Sequence, residues 1–418
     1  MRPGCRFVAV VSALLAAVTV PAQDWPQFHG PLRDNRSTET GLLGQWPEGG
    51  PPLIWRVAGL GEGYSTVAIA GGRIYTTGDL EGNLVISALD LSGQALWRQT
   101  NGAAFTRAYP GSRSTPTIRE GKLYNISGNG DLGCFRADTG ERLWSVNFMQ
   151  RFAGREVTWG IAESPLIVGD TVICCPGGDN VSMAALDKNT GETRWTCTGV
   201  GEEHAYVSPA LVEYGGLRQI VTMTAKSALG VAADTGRLLW QYPHEASYGV
   251  NCDTPLYHDG HLFLFTTWGR GATKLRLVVD GETCSVEQVW NTGEFDNEHG
   301  GVMLVDGYLY GHADGSHKHR HFACISADTG RTMWTSDELS GQASAALTFA
   351  DGLLYVVTDQ GDVCLVRPDP NRLDIISRFR MPEGGTGPVW AYPVVCGGRL
   401  YLRHGEFLYA YDIRPVPA

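Results

Sequence analysis

The chain has 418 residues and a formal charge of −11, with 18% of residues charged. That acidic balance excludes a basic groove for nucleic acid, and after Val20 no apolar run reaches membrane-spanning length. The 54 glycines mark a turn-rich β-protein, a class in which one domain routinely exceeds the usual length.

Arg2 and Arg6 precede an apolar run from Phe7 to Val20, and Pro21-Ala22 follow it. This is the pattern of a secretory signal peptide over residues 1–22, cut between Ala22 and Gln23. No cysteine follows the cut. The expectation is therefore a soluble, periplasmic or extracellular protein without a lipid anchor, and residues 23–52 read as an extended segment. Ten cysteines become nine after cleavage. They are scattered without pairing spacings, so most are expected to be small core residues.

From residue 53 a repeat dominates. Trp55, Trp97, Trp144, Trp195, Trp240, Trp290 and Trp334 are separated by 42, 47, 51, 45, 50 and 44 residues. Before five of them, at a constant distance of four, stands a glycine: Gly93, Gly140, Gly191, Gly236 or Gly330. Each glycine follows Ser or Thr and lies two to four residues after Asp90, Asp138, Asp187, Asp234 or Asp328. Asp bonds the backbone ahead of it and Gly accepts positive φ, so each motif is a hairpin leading into a Trp strand. The indoles are read as pegs between structural units, each on one face of its strand.

Two further strands precede each hairpin. Thr115-Pro116, Ser164-Pro165, Ser208-Pro209 and Thr254-Pro255 open successive units, and Leu123-Tyr124, Leu309-Tyr310, Leu354-Tyr355 and Leu400-Tyr401 mark second strands. Four short strands per unit is the arithmetic of a propeller blade. The last unit, Tyr392 to Asp412, lacks a Trp strand, whereas Leu53 to Val57 is a Trp strand with no blade before it. The N-terminal strand should close the ring, giving one eight-bladed all-β propeller over residues 53–414. The unit from Ala345 to Arg380 has Arg367-Pro368-Asp369 where the turn motif belongs, so seven blades is the alternative count.

Repeats of the form Ala-x-Asp-x-x-(Thr/Ser)-Gly-x-x-x-Trp resemble the PQQ-like (pyrroloquinoline quinone) repeat. That repeat is shared by quinoprotein alcohol dehydrogenases and by BamB, a protein of outer-membrane β-barrel assembly. The opening Asp24-Trp25-Pro26-Gln27-Phe28-His29-Gly30-Pro31 resembles exported bacterial members. The resemblance implies the fold, and it covers both enzymes and scaffolds.

In such a blade the connection from the fourth strand to the next first strand lies around the channel mouth. Here these connections carry Tyr64, Arg113, Trp159, Glu163, His204, Tyr206, Tyr248, Asn251, Asp253, Glu298, His299, Trp390 and Tyr392. Polar groups among aromatics suit a ligand pocket; the plainer reading is that they cap strands and fill the funnel. The dehydrogenase resemblance implies PQQ stacked between a tryptophan and two adjacent oxidised cysteines, with calcium held by Glu and Asn or Asp and an aspartate as base. Cys174-Cys175, Trp159, Glu163, Asn251 and Asp253 match by residue type only, with Asp253 and Glu163 as first choices for base and calcium ligand. His317, His319 and His321 alternate along the chain and could hold a transition metal, although a solvated hairpin tip is the plainer reading. No motif of serine hydrolysis, nucleotide hydrolysis or zincin chemistry occurs. The leading expectation is a monomeric binding or scaffold protein, without a resident cofactor, that takes a protein partner or a small ligand. The alternative is a PQQ-dependent dehydrogenase of alcohols or sugars, and a lyase or glycan-binding propeller is a third reading.

Overall fold

The structure, a computed structural model, describes residues 24–313, 320–339 and 344–415. Eight four-stranded antiparallel sheets form eight blades. Blade 1 consists of Ala68–Ala70, Arg73–Leu80, Asn83–Asp90 and Ala95–Ala103. Blades 2 to 7 repeat this meander over residues 117–147, 166–197, 210–243, 256–292, 302–336 and 345–380. Blade 8 takes three strands from residues 394–412, and its fourth is Leu53–Val57, paired antiparallel with Phe407–Asp412 through Trp55↔Ala410 and Val57↔Leu408. The wheel is thus latched by its first strand. The unit that lacked the turn motif is a complete blade, with Asp374–Arg380 as its outer strand, which rules out the count of seven.

Strand residues alternate faces, so each blade presents an apolar side to both neighbours. The buried side chains accordingly divide into eight clusters, one at each blade interface. The repeat motif serves these interfaces directly. The Trp97 indole N–H donates to the carbonyl of Ala137 in the next blade at 3.2 Å, and the Tyr75 hydroxyl donates to the same carbonyl at 3.0 Å. Trp144 and Tyr124 converge in the same way on Lys188 O, at 3.1 and 3.0 Å.

The turn glycine has two reasons to be there. Gly140 has φ 75°, and a Cβ on it would sit 2.6 Å from Trp97 Cε3. Gly93, Gly191, Gly236 and Gly330 lie in the same way against Trp55, Trp144, Trp195 and Trp290. Six of the seven indoles are only half-buried, because each lies on an outer strand with one edge to solvent. Trp240 differs: it is 6% exposed, and its N–H turns inward to Gln219 Oε1 at 2.7 Å. The next blade has no Asp-x-x-Gly-x-x-x-Trp turn to receive it.

Near the axis, a belt of hydroxyls joins the blades. The amide of Thr66 donates to Thr115 Oγ1 at 3.1 Å, that of Thr115 to Ser164 Oγ at 3.0 Å, and that of Ser164 to Ser208 Oγ at 2.9 Å. These are the Ser and Thr residues of the strand-opening pairs, together with Thr66.

The segment before the first blade is not a loose extension. Trp25 bridges Ile69 of blade 1, and Ile118 of blade 2 donates its amide to Pro26 O. Arg33 reaches Ser164 O and Pro165 O of blade 3 at 3.1 and 3.0 Å. Asn35 and Arg36 then bond to Leu347 O of blade 7 and Leu304 O of blade 6. The chain therefore crosses the axis on the side of the first-to-second-strand turns and seals that end of the channel.

Candidate functional site

In a meander of four strands, the turn between strands two and three lies on the same face as the connection into the next blade. Both sets of loops surround the opposite end of the channel, around a cavity of about 820 Å³. From the expected set, Tyr64, Arg113, Trp159, Tyr206, Glu298, His299, Trp390 and Tyr392 line it. The second set adds Trp268, Arg320, Asp359 and Gln360, the first-to-second-blade loop adds Tyr109, and the sealing segment contributes Phe28. Sequence reasoning missed Trp268, Arg320, Asp359 and Gln360 because it considered only one of the two loop sets; Tyr109 lay in a connection it did consider, and Phe28 in the segment it read as an extension. The aromatic cluster Trp25 to His29 was the available signal for the floor.

The aromatic residues fall into groups. Trp390 packs with Tyr64 at 5.0 Å, Tyr109 at 5.2 Å and, edge-on, the His299 ring at 4.4 Å. Trp159 meets Tyr206 at 5.6 Å. The floor is Phe28 stacked on His29 at 3.7 Å, with Tyr392 against His29 at 4.5 Å. The Tyr392 hydroxyl donates to His299 O at 3.1 Å.

Polar groups at the mouth differ in what they have left to offer. Arg113 spends its guanidinium on Gly111 O, Ala108 O and Tyr109 O at 2.6–2.8 Å. Burial holds the His299 imidazole down at about 4, with Arg320 adding to the effect, so it is neutral at pH 7. His299 Nε2 and Trp390 Nε1 are buried without a hydrogen-bond partner among the described residues.

The other expected residues lie elsewhere. Glu163 is 3% exposed and accepts the Cys175 amide at 3.0 Å. Burial pushes its carboxyl up to about 7. Asp253 lines a second cavity of about 260 Å³ beside the sealing segment, with His29, Arg33 and Tyr392. Its carboxyl is also raised by burial to about 7, with the Gly301 amide pulling the other way and Glu298 adding to the rise. His204 is buried with Nδ1 donating to Ala205 O at 2.7 Å, and burial lowers its pKa. Asn251 is consumed internally: Nδ2 donates to Thr224 O at 2.8 Å and Oδ1 accepts the Thr266 hydroxyl. Tyr248 is 86% exposed, edge-on to Trp268 at 5.4 Å. These residues sit in irregular connections outside the strands, where the local backbone sets each side chain's direction; Tyr248, for example, has a φ of 57°.

The residues matched by type to a PQQ and calcium site do not fit that group. Cys174 belongs to the core between blades 2 and 3 and Cys175 to the core between blades 3 and 4, so neither presents a plate to the mouth. The nine described cysteines form no disulfide with one another, and eight of them are buried. Glu163 and Asp253 are absent from the mouth wall, and the Asn251 amide is already hydrogen-bonded. Of the alternate histidines, His321 opens the strand His321–Ser326, whereas His317 and His319 lie outside the described residues. No group of three His, Cys, Asp or Glu is placed to hold a metal among the described residues, and no described helix is long and apolar enough to cross a membrane.

Eight blades, seven of them carrying an indole peg, around a blind, aromatic funnel define a PQQ-like repeat propeller. A family model described as outer membrane protein assembly factor BamB matches residues 81–336 and 318–414, and the chain belongs to that family. It is 24% identical over 329 residues to the outer membrane protein assembly factor BamB of Burkholderia pseudomallei, covering 75% of this chain and 76% of that one. Among solved structures, BamB from Moraxella catarrhalis aligns with a TM-score of 0.58 at 14% identity, over 88% of this chain and 98% of that one. The quinohemoprotein alcohol dehydrogenase from Comamonas testosteroni aligns with a TM-score of 0.66 at 13% identity, over 95% and 81%. At such identities the structural likeness shows the fold alone.

Proposed function

We propose that this propeller is an exported binding protein whose channel mouth is the binding site, and that it does not itself catalyse a redox reaction. The observation carrying this reading is the division of labour around the axis. Aromatic faces and neutral hydrogen-bonding atoms converge on the cavity of about 820 Å³, within the usual range for ligand pockets. Glu163 and Asp253, the carboxyls expected as calcium ligand or base, lie below or beside it, and the wall's own acids, Glu298 and Asp359, are matched in number by Arg113 and Arg320. Relatives named for outer-membrane protein assembly support a binding role, and the apolar run Phe7 to Val20 supports export.

Reconstitution of the purified protein with PQQ and calcium tests the first part, followed by absorbance scans and alcohol-dependent dye reduction. The expected result is no cofactor spectrum and no turnover; turnover would establish the dehydrogenase reading instead. A thermal-shift screen of small molecules and peptides tests the second part. Stabilising compounds should lose their effect in Trp390→Ala, and compounds that act equally on that variant would place binding away from the mouth.

A further inference from the structure

Taking the mouth as a ligand site, we infer that its ligand is a neutral, polyhydroxylated ring compound: an oligosaccharide of a few sugar units. Three observations converge on this class. The first is the placement of the aromatic groups. Trp390 stands in the connection into blade 8, and Tyr206, with Trp159 beside it, in the connection into blade 4. Four blades of eight separate these positions, so the two groups face one another across the axis. Sugar rings have apolar C–H faces and hydroxyl edges, and two opposed aromatic walls receive the faces while leaving the edges free.

The second is the character of the unused hydrogen-bonding capacity. His299 Nε2 and Trp390 Nε1 are buried at the cavity wall without partners among the described residues. A buried polar atom left unpaired is costly, so such atoms mark places where a ligand completes the bonding. Both are uncharged at neutral pH, which matches hydroxyl groups rather than carboxylates or phosphates. The one arginine that could clamp an anion from the wall beside Tyr64 is Arg113, and its guanidinium is taken up by three backbone carbonyls.

The third is the charge of the wall. Arg113 and Arg320 are matched by Glu298 and Asp359. Among the described wall residues, a ligand bearing several carboxylates would meet two acids and no surplus of cations, an arrangement that selects against it.

The test uses the full chain. Calorimetry and tryptophan fluorescence would be followed during titration with maltotriose, cellotriose and chitotriose, with PQQ and a set of short peptides as comparators. Saturable binding of at least one trisaccharide is expected, with an affinity insensitive to added salt because no ion pair forms. Trp390→Ala should weaken it about tenfold or more, and Trp390→Phe by less, since a stacking face is retained. Melting curves of the two variants would show that they remain folded. If only PQQ or peptides bind, and Trp390→Ala abolishes that binding, the sugar class is wrong while the mouth remains the site. Trisaccharide binding unchanged in both Trp390→Ala and Trp159→Ala would overturn the assignment as surface adsorption. If no probe binds and the broader screen is also silent, the reading of the mouth falls with it.

Discussion

The two faces of the wheel are built by different rules. On the sealed face, the third-to-fourth-strand turns repeat one device: a glycine at positive φ lies flat against the indole of the preceding blade, and a carbonyl beside it takes the indole N–H. The N-terminal segment is fastened across this face by backbone bonds and buried side chains. On the open face no fully described loop repeats another, and Trp390 Nε1 and His299 Nε2 have no partner among the described residues. A periodic sequence can specify the first face because every copy performs the same task. The second is specified one residue at a time, which makes it the part free to take on function.

The sharpest way to break this contrast is to unfasten the seal. Arg33 is 7% exposed, donates to Ser164 O, Pro165 O and Gln27 Oε1, and stands near the buried Glu163. Arg33→Ala should cost about 3–5 kcal/mol, because the buried carbonyls of Ser164 and Pro165 lose a charged donor at roughly 1.5–3 kcal/mol each. Equilibrium urea unfolding measures the loss, and faster proteolysis within residues 24–46 should accompany it. A loss under about 1 kcal/mol would mean that the segment merely rests on the wheel.

Next in size is the peg. Gly140→Ala meets both the positive φ and the Trp97 ring, so it should cost roughly 2–4 kcal/mol. Gly121 is the control: it has φ 72° but open space where its Cβ would be. Gly121→Ala should cost only about 1–2 kcal/mol. Equal losses in denaturant titrations of the two variants would show that the indole contact contributes nothing.

These two experiments also mark the boundary of what could be read from the chain. The blade count, the latch and the pegs follow from Trp and Gly spacings, because a repeated unit that cannot bury its apolar faces alone must stack. Trp240 departs from the pattern by turning its N–H to Gln219; a missing motif in the next blade is not sufficient cause, since Trp334 faces such a blade and still donates to Asp369 O. The seal was not legible: residues 24–46 have no period, and their bonds are formed with blades far away in sequence. At the mouth, eight residues of the expected set were placed on the cavity, whereas Glu163, His204, Asn251, Asp253 and Tyr248 were not. A loop's position is fixed by topology, but the direction of each side chain depends on local turns that no repeat dictates.

Titration distinguishes the faces again, and here the expected effects are intermediate. Burial holds His29, His244 and His312 at about 3 and His299 at about 4, against 6.5 when exposed. Between those values the unfolded chain holds the extra protons, so these groups lower stability as the pH falls from 6.5 to about 3. Glu163 and Asp253 at about 7, and Asp79 at about 6, act in the opposite sense. There the folded chain holds the extra proton, and stability rises as the pH falls from about 7 to the unfolded carboxyl values of 4.5 and 3.8. The two sets largely offset one another down to the unfolded carboxyl values of 4.5 and 3.8, below which the imidazoles held at about 3 act alone, each contributing about 1.4 kcal/mol per pH unit. Denaturant titrations should give a plateau followed by a steep acid limb. Asp253→Asn, which mimics the protonated acid, should add roughly 2–3 kcal/mol more at pH 8 than at pH 5. A gain of the same size at both pH values would show that the carboxyl is not held neutral by its surroundings.

The smallest expected effect on stability comes from the mouth itself. Trp390 is half-buried and its N–H bonds to nothing described, so its removal breaks no hydrogen bond and leaves no orphaned partner. It also lies in a loop, outside the ladders that hold the blade. Trp390→Ala should therefore cost no more than about 1 kcal/mol, far below the cost at a fully packed indole such as Trp240. A large tryptophan at the rim of a cavity that the fold does not need is held there for something other than folding. Melting curves of Trp390→Ala and Trp240→Ala, run side by side, decide the point. If the two variants lose the same stability, the mouth belongs to the scaffold after all, and the contrast between the faces disappears.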